Sequence, residues 1–385
     1  MRTFFSEKNN FLLLLGGMVI VSATLVYLFT AGNGVLQQPG DGATSAPKAL
    51  YTPLAQLKAS PPPKDCISQH RYFQKGIVFP QWGATAYSEN DTKWLTELPD
   101  IPTQTAACWV EMPILFYQPS QTSTTVTQGP GTPSLSSFNY GLHLARALGL
   151  HIFVTPLLQV GGSQPWSGLI HFSTHEQEQQ WFESYWQTLK PYVVTAAQAG
   201  VEQLAVGTED EWLQAHAPNS FWDDLIAQVR SVFPGTLTYD MNWTALQTPL
   251  RSWMHNADLK MIGVSAYFPL INTPQRVDPQ RISDLWKQTV KRELDTFALK
   301  LGEPIFISEI GYRNSADALY RSWEPTSSAP ADPVEQAAAY SAALANILPD
   351  QHILGSFFWG WDNAEAFNLH GLPAATVIQT HYKSV

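Results

Sequence analysis

From about residue 76 onward the chain alternates between two patterns of apolar and polar positions. Short apolar runs bounded by Gly, Pro or polar residues predict buried strands at 76–82, 105–116, 151–160, 203–209, 235–243, 261–269, 304–312 and 353–362. Between them, apolar residues recur at helical spacing over 135–148, 175–199, 221–233, 281–301 and 333–347. One helix start, Ser173-Thr-His-Glu176, spells a capping box. Strands alternating with helices form parallel sheets with right-handed crossovers, and eight is the number at which such an array closes. The predicted fold is therefore α/β, a single (β/α)8 TIM barrel. An open doubly wound sheet is the alternative, but no Gly-rich phosphate fingerprint follows the first strand.

The N-terminal part has a different pattern. Residues 11–30 form an uncharged apolar run of about twenty, long enough to span a bilayer. Arg2 and Lys8 precede it, which predicts a cytoplasmic N-terminus over 1–10 and a domain outside the membrane. The run exceeds the usual core of a cleaved signal, so a signal anchor is preferred, with a cleaved signal peptide and secretion as the alternative. Residues 31–68 are rich in Gly, Pro, Gln and Ser and read as a flexible linker, leaving 69–385 as the barrel domain.

Composition narrows the partners. Charged residues make up only 14% of the chain, and the net charge is −10, which argues against nucleic acid or an anionic membrane surface as a partner. The two cysteines, Cys66 and Cys108, lack metal-site spacing. Cys108 falls within a predicted strand, so a buried thiol is preferred to a disulfide.

The chemistry concentrates at strand ends. The strand 304–312 stops at Glu309, and the strand 203–209 stops at Glu209. The C-terminal ends of barrel strands are where active sites sit, and paired carboxylates there are the equipment of a glycosidase. The fourth and seventh strands can face each other across the mouth. A separation of about 5–5.5 Å between the carboxyls predicts retention, with one nucleophile and one acid/base. Either acid alone could instead cap a helix. Asp210 and Glu211 compete with Glu209 and read as helix-start charges. The other strand ends offer Trp82, Gln118, Gln159, Asn242, Trp243, Tyr267, Trp361 and Asp362, aromatic faces and amides suited to a sugar ring. Tyr267 can hydrogen-bond a carboxylate on the neighbouring strand. No metal spacing and no Gly-x-Ser-x-Gly elbow is found, so no cofactor is expected.

The strings Val206-Gly-Thr-Glu209, Tyr239-Asp-Met-Asn-Trp243, Ser308-Glu-Ile-Gly-Tyr-Arg313 and Phe358-Trp-Gly-Trp-Asp362, with Pro165-Trp-Ser-Gly168, resemble glycoside hydrolase family 113, known for β-mannanases. The resemblance spans about 75–362. It implies that Glu209 is the acid/base and Glu309 the nucleophile, with Asn242, Trp243, Tyr267, Arg313 and Trp361 lining the site; Trp166 and Thr208 are further candidates, Thr208 standing where the clan usually has Asn. The sequence departs from the family after the third strand, where Thr155-Pro-Leu-Leu-Gln159 stands for a Lys-Pro-His-x-Asp pattern. That places the identity of the sugar in question and leaves the paired acids untouched.

The expected activity is retaining hydrolysis of a β-linked polysaccharide, β-mannan first, by a monomer. In that mechanism Glu209 has a raised pKa and Glu309 a normal or depressed one. The alternatives are a non-catalytic carbohydrate-binding barrel at the cell surface and a transglycosylase using the same acids.

Overall fold

The computed structural model describes residues 52–62, 72–361 and 366–385. The apolar run 11–30, Cys66 and Asp362 lie outside the described residues. Among the described residues no helix is long and apolar enough to cross a membrane.

Eight parallel strands close in sequence order, β1 to β8, into a barrel. They are β1 Gln74–Val78, β2 Trp109–Gln118, β3 His151–Val160, β4 Gln203–Thr208, β5 Thr236–Asn242, β6 Leu259–Ser265, β7 Ile305–Ile310 and β8 Ile353–Phe358. Closure is made by β1 against β8, with Gln74 opposite Gly355 and Ile77 opposite Phe358. Outside lie α1 Thr92–Glu97, α2 Asp100–Thr105, α3 Leu135–Ala147, α4 His175–Ala199, α5 Glu211–His216 and α6 Asn219–Arg230. The ring continues with α7 Pro279–Trp286, a π-helical turn Lys287–Lys291, α8 Arg292–Leu301, α9 Pro333–Ile347 and α10 Pro373–Lys383.

Inward-facing side chains stack in layers. The lower layer is an aromatic plug of Phe153, Phe306 and Phe357, whose ring centroids lie 5.2–6.1 Å apart in pairs. The plug closes the barrel below, so any chemistry is confined to the upper face.

Local chemistry explains where the predicted elements shift. The second strand begins at Trp109, not at 105, because Asp100–Thr105 is a helix that Ala106 ends in the left-handed conformation (φ 56°). Cys108 therefore sits ahead of the strand, and it is disulfide-bonded, which corrects the buried-thiol reading. The capping box of α4 is displaced by one residue. Thr174 is the N-cap, accepting from Gln177 N, and the Gln177 side chain accepts in return from Ser173 N at 3.1 Å. The long helix ends at Gly200, φ 72°. The eighth strand stops at Phe358, four residues before its predicted end.

The described part of the Pro-rich segment is docked on the barrel. Ser60 N donates to Arg146 O at 2.9 Å, and Tyr140 Oη donates to Thr52 O at 3.1 Å, so 52–62 lies along α3 instead of running free.

Candidate active site

Two strands deliver carboxylates to the same cleft. At the end of β4, Glu209 has φ 57°, a left-handed conformation that costs a non-glycine residue of the order of 1 kcal/mol. Its N–H donates to Asp240 O (2.8 Å), its carbonyl accepts from Glu211 N (2.8 Å), and Ser167 Oγ reaches the same carbonyl at 3.3 Å. The backbone is over-determined at this residue, and the result is a carboxyl turned into the barrel mouth. On β7, the pairing with β6 slips between Gly263 and Ser265, and the pairing with β8 slips between Ile307 and Ile310. These irregularities bracket Glu309 and re-aim it upward. Ala266 N donates to its carbonyl at 2.6 Å.

Both acids line one narrow cleft with Leu157, Leu158, Ser167, Thr208, Tyr267 and Trp359. Its cavity volume is only about 30 Å³.

Each acid has its own donors. Trp166 Nε1 donates to Glu209 Oε2 at 3.0 Å, and Tyr267 Oη donates to Glu309 Oε1 at 2.5 Å. Burial raises the Glu209 pKa, against the opposing effect of Trp166, Asn242 and Ser265. Burial first, and the charge of Glu209 second, push Glu309 up to about 8, while the Tyr267 hydroxyl pulls the other way. The expectation of a normal or depressed Glu309 is therefore corrected. The two carboxyls are buried in one cleft, and a charge on Glu209 opposes the ionisation of Glu309.

The structure sorts the other predicted residues into three groups. Thr208 and Tyr267 are in the cleft, and Trp166 contacts Glu209 directly. Asn242 faces Glu209 while its Oδ1 accepts from Thr244 N at 3.0 Å. Trp82 and Trp243 are half-buried at the rim and pack on the inner aromatic cluster. Trp243 also lies 5.8 Å from Trp323. Gln159 is half-buried one pleat repeat above Leu157 on the same face of β3.

Three residues are not brought into the cleft. Gln118 is buried between Ser120 O, to which it donates, and Trp181 Nε1, from which it accepts at 2.7 Å. Trp361 donates to Glu97 O at 3.0 Å, and its ring packs at a tilt against that of His370. Arg313 donates to the carbonyls of Asp317, Tyr320, Arg321 and Glu324 at 2.7–3.0 Å, so it serves the loop after β7.

Sequence reasoning missed Trp359, Ser167 and two buried acids, Glu111 and Asp240. Trp359 has the inward parity of Phe357, but a strand taken to continue to 362 draws attention to its last tryptophan instead. The signal for the acids was present, since Glu111 and Asp240 sit inside apolar strands.

Glycoside Hydrolase Family 113 matches residues 69–373. The chain belongs to this family. It is a glycoside hydrolase with a (β/α)8 barrel. Among solved structures, a GH113 β-1,4-mannanase in a complex is 21% identical, with a TM-score of 0.68, over 82% of this chain and 100% of that one. The GH113 β-mannanase AaManA from Alicyclobacillus acidocaldarius, solved with ManMIm, is 22% identical, with a TM-score of 0.67, over 82% and 98%. A β-glucuronidase from Ruminococcus gnavus shares the fold at 9% identity and a TM-score of 0.52, covering 81% of this chain and 49% of that one. No curated protein matches the chain.

Proposed function

We propose that this glycoside hydrolase cleaves a β-linked polysaccharide, β-mannan first, by double displacement. Glu309 is the nucleophile and Glu209 the acid/base. The observation that carries this reading is the convergence of two strand-end glutamates in one cleft, each held by its own donor. The substrate guess takes support from the two mannanase neighbours. In the first step Glu309 attacks the anomeric carbon while Glu209 gives its proton to the leaving oxygen. In the second, Glu209 takes a proton from water, which attacks the glycosyl-enzyme and frees Glu309. Tyr267 stabilises the ionised nucleophile, and Trp166 fixes the direction of the Glu209 carboxyl.

The test is reducing-sugar release from mannan, glucomannan, xylan, β-glucan and chitosan-type polymers, with Glu309→Ala in parallel. Release from one polymer, lost in the variant, is expected. Equal release by both proteins would remove Glu309 from its role. Binding without release across the panel would favour a carbohydrate-binding barrel.

The pH dependence has a definite sign. The nucleophile must be ionised, so activity rises with pH through the pKa that burial holds high. Tyr267→Phe removes a donor to the ionised form and raises that pKa further. The acidic limb of kcat/KM should therefore move to higher pH, by about half a unit or more. An unmoved limb would mean that the hydroxyl only fills space.

Trp166→Phe removes a donor that lowers the pKa of Glu209. The acid/base then keeps its proton to higher pH, and the alkaline limb should shift upward while kcat falls about 10-fold. A profile displaced downward would contradict this.

We further infer a monomer working outside the membrane, held by the run 11–30 or freed by its cleavage. Membrane fractionation of the full chain tests the anchor, and sedimentation of the soluble domain tests the oligomeric state.

A further inference from the structure

Between the aromatic plug and the catalytic cleft lies a layer that neither packing nor the proposed reaction explains. It contains Glu111 on β2, Thr155 on β3, Asp240 on β5, Gly263 on β6 and Ser308 on β7. Glu111 and Asp240 are 3% and 1% exposed. Thr155 Oγ1 donates to Glu111 Oε1 at 2.7 Å. Glu111 Oε2 and Asp240 Oδ1 have no protein partner among the described residues.

The layer is built around these acids. Asp240 stands opposite Gly263 on β6, and a Cβ at 263 would come within 2.3 Å of Asp240 Oδ1 and 2.8 Å of Ser308 Cβ. Glycine at 263 therefore makes the space that the Asp240 carboxyl fills. The backbone carbonyl of Asp240 also receives Glu209 N–H, which ties this layer to the acid/base above it.

The groups facing these two acids are all acidic or neutral. Glu111 senses Asp240 and Glu309, with Thr155 as its donor. Asp240 senses Glu309 and Glu209, with Thr238 facing it, and Tyr185 on α4 senses Asp240 from outside the barrel. Asp210, also buried, is pushed up by burial and then by the charge of Glu209, so it supplies no counter-charge. Among the described residues, the charges that act most strongly on either acid are those of other carboxylates. A buried ionised carboxylate needs donors on both oxygens or a counter-charge, and among the described residues neither acid has them.

We propose that Glu111 and Asp240 are positioning residues, two carboxylic acids that stay neutral through the catalytic cycle beneath the cleft. Glu309 then ionises with neither floor acid adding a negative charge beside it. In the state that begins the reaction the four carboxyls hold three protons, one on each floor acid and one on Glu209. The floor neither gives nor takes a proton in either step. What it supplies to Glu309 is an uncharged polar surface that stays put while charge moves above it. The roles of Glu309 and Glu209 rest on the reading under Proposed function. The protonation of the floor does not.

Infrared spectroscopy tests this without any substrate. The carbonyl stretch of a neutral carboxylic acid is separate from that of a carboxylate, and difference spectra against Glu111→Gln and Asp240→Asn assign it. Each variant should lose one neutral-acid band at neutral pH. The titration of Glu309, read against Glu309→Gln, should keep its midpoint in both floor variants. The acidic limb of kcat/KM should likewise keep its position once a substrate is in hand. Absence of the neutral bands in the parent protein overturns the proposal. So does a fall of about one unit or more in the Glu309 midpoint in either variant, because it would show that a negative charge had been removed. Should a variant fail to fold, the carboxyl titration of the unsubstituted protein still decides whether neutral acids persist above the range where Glu309 ionises. Failure of every polymer substrate would count against the proposed function and leave the infrared result to be read on its own.

Discussion

Glu309→Ala is expected to lower kcat by ~10⁴-fold or more on any polymer the protein hydrolyses, with KM changed little, because the lost bond forms only on the way to the transition state. Glu209→Gln should behave differently from one leaving group to another. A sugar hydroxyl needs the proton that Glu209 donates, so polymer cleavage should fall by a comparable factor. An aryl glycoside with an acidic phenol leaves without help, so its first step should survive. Its second step still lacks a base, and one equivalent of phenol should appear in a burst before slow turnover. Equal loss on both substrates with no burst would exchange or abolish the assigned roles. Glu309→Gln carries a second expected outcome that is independent of any substrate. The folded pKa of about 8 lies above the ordinary carboxyl value of 4.5, so the folded state binds the extra proton in that window. The stability linked to this group is fully present below about 4.5 and is lost as pH rises toward about 8. A neutral amide removes that loss, so the variant should melt higher than the parent at pH 8, by about 2 °C or more, and with a smaller difference at pH 4. A variant that melts lower at every pH would place Glu309 in a solvated site.

The parts of this site that could be read from the sequence are those in which one residue type carries both structure and chemistry. An apolar strand that stops at an acid leaves few structural roles for the acid, and both Glu209 and Glu309 announce themselves in that way. The eight strands are legible for the same reason, since buried parallel strands are near-continuous apolar runs. The mouth was harder to read. Gln118 and Arg313 are polar residues at or just past strand ends, but a polar group there satisfies a ligand or a loop carbonyl with equal ease. The sequence pattern is the same in both cases. Trp359 and Trp361 differ only by the residue at which β8 stops, which hydrogen bonding across the barrel decides. The α2 helix was hidden because Asp100–Thr105 is six residues long and ends in a non-glycine left-handed turn at Ala106. Without α2, the sequence pattern puts Cys108 inside a strand. Glu111 and Asp240 were legible in principle, as acids within apolar strands, but their partners lie on other strands and only closure of the barrel brings them together.

Arg313→Met should destabilise the fold and disturb the chemistry together, although the guanidinium does not touch the cleft. Its Nη1 donates to Arg321 O and Glu324 O at 2.8 and 2.7 Å, and its Nη2 to Asp317 O and Tyr320 O at 3.0 and 2.9 Å. Asp317 lies within 3.4 Å as a counter-charge, and the side chain is 2% exposed. A planar fork suits four carbonyls arranged around it, whereas an ammonium group on a flexible stem does not, so Arg313→Lys should rescue only part of the loss. Removing the charge leaves buried carbonyls unpartnered, a change worth about 3–5 kcal/mol, or a fall in Tm of roughly 6–12 °C. The loop that loses its anchor carries Ser322, whose hydroxyl donates to Tyr267 O at 2.8 Å and Phe268 O at 3.0 Å. Tyr267 in turn donates to Glu309. Loosening this chain should lower kcat about 10-fold to 100-fold and move the acidic limb upward, in the same direction as Tyr267→Phe but by less. The double variant with Tyr267→Phe should then lose less than the sum of the two single effects, since both act through one hydroxyl. A variant with the parent's Tm and a defect confined to KM would instead return Arg313 to the substrate, where the sequence alone had placed it.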